Sequence, residues 1–257
     1  MFSVFKHKMG KVVVNYISKQ IKTNLPKGIA ITTDRFTAKN SNCRIQLGEF
    51  GLRYNILSKD NTNNIFPSDH YCIDENRFQD ELDFCPSTVH INVWKDDTIV
   101  ATSRYVDGNS ELFEMEYFNW YQLRKKHPDI GNNIIEPCRV VASKSIRGSS
   151  LVPLMFVRAS LHVVLCGFDS YIGMINVKAV PLISHYNKWV KWDLLVNEDN
   201  AFETPEYIPG NKCIVIKTDI TNKSGCNTDF ILTNLLPAYV IYRIMSLHDL
   251  YKLRTGK

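Results

Sequence analysis

The chain has 257 residues, a net charge of +5, 44% hydrophobic and 22% charged residues. That length buries a full core in one domain, or in one domain with an appendage, and the composition excludes disorder. So mild a charge, without a dense basic stripe interleaved with aromatics, argues against a nucleic-acid binder and leaves an acidic protein or an anionic cofactor as partner.

Seven cysteines, at positions 43, 72, 85, 138, 166, 213 and 226, are scattered, odd in number and never in a C-x-x-C pair. The pattern argues for a reducing cytoplasm and against a disulfide framework or a zinc site, so no metal is expected. The N-terminus is basic (Lys6, Lys8, Lys11), but the run Val12–Val14 is too short for a signal core.

Residues 1–45 are polar and irregular in pattern and read as an N-terminal appendage packed on the core, with 46–257 as the main domain. Residues 50–59 predict a helix, with Leu52, Ile56 and Leu57 on one side. Loop chemistry follows at 60–64 and 66–69. Val89, Ile91 and Val93 alternate with His90, Asn92 and Trp94, turn at Lys95-Asp-Asp97 and return through Thr98 to Val106, a β-hairpin.

Residues 111–127 predict one amphipathic helix carrying Phe113, Tyr117, Trp120 and Tyr121. It ends in Arg124-Lys-Lys-His127, where a helix C-terminus favours positive charge. A strand over 134–142, a turn at Gly148 and a helix over about 150–166 follow, with Pro153 in the helix's first turn. Then come a strand over 170–177, a short helix at 180–189, a strand over 212–218 and a C-terminal helix. The apolar stretch Phe230 to Met245 is interrupted and falls short of a membrane span of about 20 residues. It reads as a buried or surface-docked helix, with peripheral membrane contact left open. Together the elements make an α+β (α/β layered) fold around a mixed sheet.

The chemistry concentrates in Ile134-Ile-Glu-Pro-Cys-Arg-Val-Val-Ala142. Glu136 lies in an apolar strand, where an ionised carboxylate is costly unless paired. It is either a general base with a burial-raised pKa or the partner of Arg139 or Arg104. Strict alternation puts Glu136 and Arg139 on opposite faces. Pro137 lacks the N–H of a central ladder, and a bulge there would re-aim one side chain and free a backbone donor. Such a splayed strand can admit an extended thioester arm and offer an N–H to its carbonyl. The turn Arg147-Gly148-Ser149-Ser150 opens a helix N-terminus, a phosphate-binding arrangement. Cys138 has no adjacent histidine to activate it as a nucleophile. By pattern alone, Arg104 and Asp83 are ion-pairing residues at a sheet rim.

In order, Arg53-Tyr54, Asp80-x-x-Asp83, His90-Ile91, Ile99-Val-Ala-Thr-Ser-Arg104 and Glu136-x-x-Arg139-Val140 resemble the signature of two related enzyme groups. These are the long-chain N-acyl amino acid synthases (N-acyl-tyrosine synthase type) and the N-acyl-homoserine-lactone synthases, branches of the GNAT acyltransferase superfamily. The resemblance covers roughly residues 50–195. It implies a twisted mixed sheet splayed between its fourth and fifth strands, with helices on both faces.

It also implies transfer of a fatty acyl group from an acyl-phosphopantetheine thioester, on acyl carrier protein or coenzyme A, to an amine, with no tightly bound cofactor. On this resemblance Glu136 activates the amine, Arg139 and Arg104 shape the acceptor or donor site, and Asp83 lies near the acceptor. Arg147, Gly148, Ser149 and Ser150 match the pyrophosphate loop. That loop is poorer in glycine than the coenzyme A-binding version, which favours a carrier-protein donor.

No tryptophan follows Arg53 where the lactone branch has one, which favours an amino acid acceptor over S-adenosylmethionine. Arg53, Phe113, Tyr117, Leu154, Met155 and Met174 are the expected pocket residues. Arg124, Lys125, Lys126, Lys144, Arg147 and Arg158 would meet an acidic carrier protein. The remaining alternatives are an autoinducer (acyl-homoserine-lactone) synthase and a non-catalytic carrier-binding module.

Overall fold

The computed structural model describes residues 2–40, 43–60, 77–131, 133–179, 192–204, 210, 212–221 and 227–255. The loops expected at 60–64 and 66–69 and the helix expected at 180–189 lie outside them, save Asp60, which ends a helix.

Helix α1 (Phe2–Thr23) buries Gly10, Val14, Ile17 and Ile21, the spacing of one helical face, and strand β1 (Ile29–Asp34) follows it. β1 pairs antiparallel with β2 (Val89–Lys95), from Ile29 opposite Lys95 to Asp34 opposite His90. The first 45 residues therefore supply an edge strand and core side chains to the same sheet. Their pattern looks irregular because an edge strand stays half exposed and α1 buries only every third or fourth residue.

Helix α2 (Arg44–Asp60) covers the helix expected at 50–59 and begins earlier. Its inward face is Gln46, Glu49, Phe50 and Arg53, whereas Leu52 and Ile56 are half-buried. The apolar side chains thus misled about which side faces the core, because α2 faces a polar interior. The side chain of Leu57 lies outside the described set.

The hairpin forms from β2 and β3 (Thr98–Asp107). Val89, Ile91 and Val93 enter the main apolar core; His90 and Asn92, on the other face, are also fully buried. The single helix expected over 111–127 is instead two short ones, α3 (Glu114–Tyr117) and α4 (Leu123–Lys126). Asn119 takes a left-handed conformation (φ 56°) between them. The consecutive residues Phe113, Glu114, Met115 and Glu116 are all buried, which no one-faced helix allows.

Strand β4 (Ile134–Ala142) and helix α5 (Leu151–Cys166) follow, α5 ending at Gly167 with φ 77°. β5 (Ser170–Asn176), β6 (Asp193–Val196), β7 (Phe202–Glu203) and β8 (Lys212–Asp219) complete the sheet. A turn of helix at Thr228–Phe230 and a π-helical stretch at Ile231–Leu235 lead into α6 (Leu236–Thr255).

The eight-stranded sheet has the order β1-β2-β3-β4-β5-β8-β6, with β7 also on β8. Among the described residues its only parallel pair is β4–β5, and that pair is short: Ile134 opposite Ser170 and Ile135 opposite Tyr171. Beyond it the two strands part. Pro137 has no N–H to give β5, and Gly173 has no side chain with which to meet it; a Cβ placed on Gly173 would lie 3.9 Å from the Pro137 ring. The split expected between the fourth and fifth strands is thus present. α1, α5 and α6 pack on one face of the sheet, and α2, the turn Glu81–Phe84 and α3 cover the other.

Candidate active site

On the face opposite the main core, β2, β3 and β4 present His90, Arg104 and Cys138 in one row: His90 is opposite Arg104, and Arg104 opposite Cys138. α2 lays Glu49 and Arg53 over it, the turn Glu81–Phe84 and its N-cap bring Asp83 and Asp80, and α3 brings Glu114. All of these except the half-buried Cys138 are buried, so their charges must satisfy one another.

Arg104 is the hub. Its Nη1 donates to Asp80 (2.5 Å) and Asp83 (3.0 Å), its Nη2 to Glu114 (3.2 Å) and its Nε to the Cys138 sulfur (3.2 Å). Arg53 donates to Asp83 at 2.6 Å and to Glu49. The His90 ring bridges Glu49, 2.7 Å from Nδ1, and the carbonyl of Asp83, 3.1 Å from Nε2. Arg139 reaches Glu114 at 2.7 Å and Asp80 at 3.3 Å, with its guanidinium 4.9 Å over the Phe78 ring.

Arg139 reaches that cluster through a bulge. Thr102 faces Val141 and Arg104 faces Cys138, so Arg139 and Val140 together oppose Ser103. Arg139 has φ 52°, a left-handed conformation uncommon for a residue with a side chain. The expectation that Glu136 and Arg139 occupy opposite faces is therefore corrected. The extra residue lies at Arg139–Val140, not at Pro137, and returns Arg139 to the face of Glu136. Two ion pairs and the Phe78 ring hold it there.

Three guanidinium groups, of Arg53, Arg104 and Arg139, thus face five carboxyl groups, of Glu49, Asp80, Asp83, Glu114 and Glu136. The carboxyl with least support is Glu136. Among the described residues it forms no ion pair with Arg104 or Arg139; its Oε2 accepts the backbone N–H of Glu114 at 2.5 Å, and its buried Oε1 has no hydrogen-bond partner. Burial, and next the charge of Glu114, push its pKa up to about 8.

Burial raises Asp80 as well. For Glu114 and Asp83 burial acts upward too, but the arginines outweigh it: Arg139 and Arg104 hold Glu114 below its ordinary value, and Arg53 and Arg104 do the same for Asp83. Burial pushes the Cys138 thiol well above its ordinary range, which keeps it protonated and unsuited to nucleophilic attack.

The structure thus gathers Glu136, Arg139, Arg104, Asp83 and Arg53, with Arg53 in the charge network and not in an apolar pocket. It adds Glu49, Asp80, His90 and Glu114. Asp80, Asp83 and His90 stood in the motifs; Glu49 and Glu114 carried only faint signals, the i, i+4 pair Glu49/Arg53 and an acid inside an aromatic stretch.

The other pocket residues are not brought together. Phe113 and Met174 share one apolar cluster, Tyr117 packs beside Phe78 and Phe118, and Leu154 and Met155 lie in the main core across the sheet. Periodicity could not tell these faces apart.

The turn Arg147–Ser150 does open α5, but the amides of Arg147, Ser149 and Ser150 are engaged. The Ser149 N–H bonds the Ile146 carbonyl at 3.0 Å, and the Leu151 N–H bonds the Ser149 hydroxyl at 3.3 Å. The Ser150 N–H bonds the Asp249 carboxylate of α6 at 2.9 Å. Of the basic residues considered for carrier docking, Lys125, Lys126, Lys144 and Arg147 are exposed and Arg158 is half-buried. Arg124 is instead tied to Glu116 and to the carbonyls of Gly108 and Glu111.

No family model and no curated protein matches this chain by sequence. Solved structures do match it. The CoA-dependent acyl-homoserine lactone synthase MesI aligns with a TM-score of 0.57 at 15% identity, over 83% of this chain and 95% of its own. The CoA-dependent acyl-homoserine lactone synthase BjaI, solved with MTA, aligns with a TM-score of 0.56 at 12% identity, over 84% and 90%. The AHL synthase LasI aligns with a TM-score of 0.54 at 11% identity, over 79% and 94%. The chain therefore shares the fold of these synthases; in this chain it is a mixed eight-stranded sheet with helices on both faces.

Proposed function

We propose that the chain is an N-acyltransferase that moves a long-chain fatty acyl group from a phosphopantetheine thioester to the amine of an amino acid. The supporting observation is the juxtaposition of the β4–β5 split with Glu136. The strands part after Ile135, and the next residue is a buried acid with a pKa near 8 and an unpartnered carboxylate oxygen.

In this reading the thioester arm enters between β4 and β5. Glu136 takes a proton from the acceptor's ammonium group, directly or through a water, and the freed amine attacks the thioester carbonyl carbon. A backbone N–H of the bulged strand receives the oxyanion, and the C–S bond breaks to release the thiol. Arg104, Arg139, Asp80, Asp83 and Glu114 act as one rigid block that fixes Glu136 and the mouth of the split.

Acyl carrier protein is the favoured donor, because a phosphate at the α5 N-terminus would have to displace Asp249, whereas a carrier protein can also dock on exposed bases such as Lys144 and Arg147. The test is to incubate the purified chain with acyl carrier protein or CoA thioesters and a panel of amino acids, reading products by mass spectrometry. An acyl amino acid that Glu136→Gln no longer makes supports the reading. No acyl transfer to any amine would leave a carrier-binding module.

A second reading, synthesis of an acyl-homoserine lactone from S-adenosylmethionine, is favoured by the three synthases that share the fold. Including that acceptor in the panel separates the two, since one yields an acyl lactone and the other an acyl amino acid.

A further inference from the structure

Helix α6 has two apolar faces. The inner one buries Tyr239 and Tyr242 and continues the line of Leu235 into the core against α5. The outer one carries Val240, Ile244, Leu247 and Tyr251, spaced four, three and four residues apart on one stripe, with Ile244 and Leu247 each 62% exposed.

Helix α1 extends this surface. Met9, Val12 and Tyr16 are exposed at helical spacing, Val12 at 66%, and the Tyr16 ring lies edge-on to that of Tyr239 at 6.1 Å. The segment 228–252 is apolar and long enough to cross a membrane by composition, but its inner face is committed to the protein. It is built to lie on a surface, not to span.

The charges on α1 and α6 are basic but for one, and the exposed Asp229 precedes α6. α1 contains five lysines (6, 8, 11, 19 and 22) and no acid, and Lys8, Lys11, Lys19 and Lys22 are exposed. α6 adds Arg243 and an exposed Lys252, and its one acid, Asp249, is bonded to the Ser150 amide. An apolar stripe flanked by lysines along helices of about 30 Å fits the headgroup boundary of an anionic bilayer. A second copy offering the same face would set lysines against lysines.

We infer that the joint outer face of α1 and α6 is a docking surface for anionic lipid, with Ile244, Leu247, Val12 and Tyr16 entering the acyl boundary and the lysines meeting lipid phosphates. The inference does not depend on which reaction the chain performs.

The test is co-sedimentation of the full chain with phosphatidylcholine vesicles containing phosphatidylglycerol, and with pure phosphatidylcholine vesicles, at low and high salt. Binding is expected to the anionic vesicles and to weaken with salt. Charge reversal of Lys8, Lys11 and Lys19 should cost roughly fivefold or more per residue. The double variant Ile244→Glu/Leu247→Glu should abolish binding while keeping the wild-type circular dichroism spectrum, since both side chains are exposed. Lack of binding to either vesicle would overturn the inference, as would binding that the double variant leaves intact. So would a concentration-dependent dimer that the double variant dissolves, which would assign the stripe to a second copy.

Discussion

Glu136 and Glu114 are bound together through the backbone of one and the side chain of the other: the Glu114 N–H donates to Glu136 Oε2 at 2.5 Å. The carboxylate of Glu114 meanwhile takes Arg139 at 2.7 Å and Arg104 at 3.2 Å. The arginines thus serve Glu114, and Glu136 keeps only a neutral donor. Two adjacent acids end with opposite properties, Glu114 held ionised and Glu136 raised to about 8.

If Glu136 is the base, acyl transfer at fixed acceptor concentration should rise with pH, reach half its maximum near 8 and level off above it, as the carboxyl loses its proton. Glu136→Gln should lower kcat/KM by roughly 100- to 10,000-fold and remove that ascending limb. A pH–rate series on both proteins with the same acceptor checks this; a wild-type rate in the variant at every pH would remove Glu136 from the chemistry.

The same group sets a stability trend. Its ordinary pKa is 4.5 and its folded value is about 8, so between these pH values the folded state holds a proton that the unfolded state has released. Stability therefore falls as pH rises through this window, by up to about 1.4 kcal/mol per pH unit for this group. Glu136→Gln carries no such linkage. Urea midpoints of variant and wild type should diverge in the variant's favour from pH 5 to 8 and run parallel above it.

Arg104 contacts Asp80, Asp83 and Glu114, all without access to water. Arg104→Ala would leave three buried carboxyl groups short of a partner, and the expected loss is about 3–5 kcal/mol. Arg104→Lys supplies a point charge in place of a planar fork and should recover only part of it. Chemical denaturation of both variants measures the difference; a loss below about 1 kcal/mol for Arg104→Ala would mean that the carboxyl groups take up protons or are held by Arg53 and Arg139 alone.

Local pattern made part of this molecule legible. β4 spans Ile134–Ala142, as its apolar run implied, and α5 starts beside Pro153 and stops at Gly167, where proline and glycine belong. The site was legible only where short motifs marked it. Its contacts join residues far apart in sequence, 30 positions for Arg53–Asp83 and 59 for Arg139–Asp80, and no periodicity records them. The polar alternation of His90 and Asn92 looks like a solvent face, yet here it lines a buried charge cluster. The bulge at Arg139 was hidden for a similar reason. Pro137 is the conspicuous irregular residue, whereas the left-handed turn falls on an arginine held by partners that only tertiary structure supplies.

The engagement of the α5 N-terminus gives a further test. The Asp249 carboxylate occupies the Ser150 amide, the position a phosphate of the acyl donor would take at this helix end. Asp249→Ala removes a cap, for which the expected cost is roughly 0.5–2 kcal/mol of stability. It also frees the amide and deletes a competing negative charge, so free coenzyme A should bind about two- to fivefold more tightly. Calorimetric titration of both proteins with coenzyme A reads the affinity, and urea denaturation reads the cap. A variant that loses stability but gains no affinity would show that the phosphate of the thioester arm does not bind at the α5 N-terminus, and the role proposed for Arg147–Ser150 would fall with it.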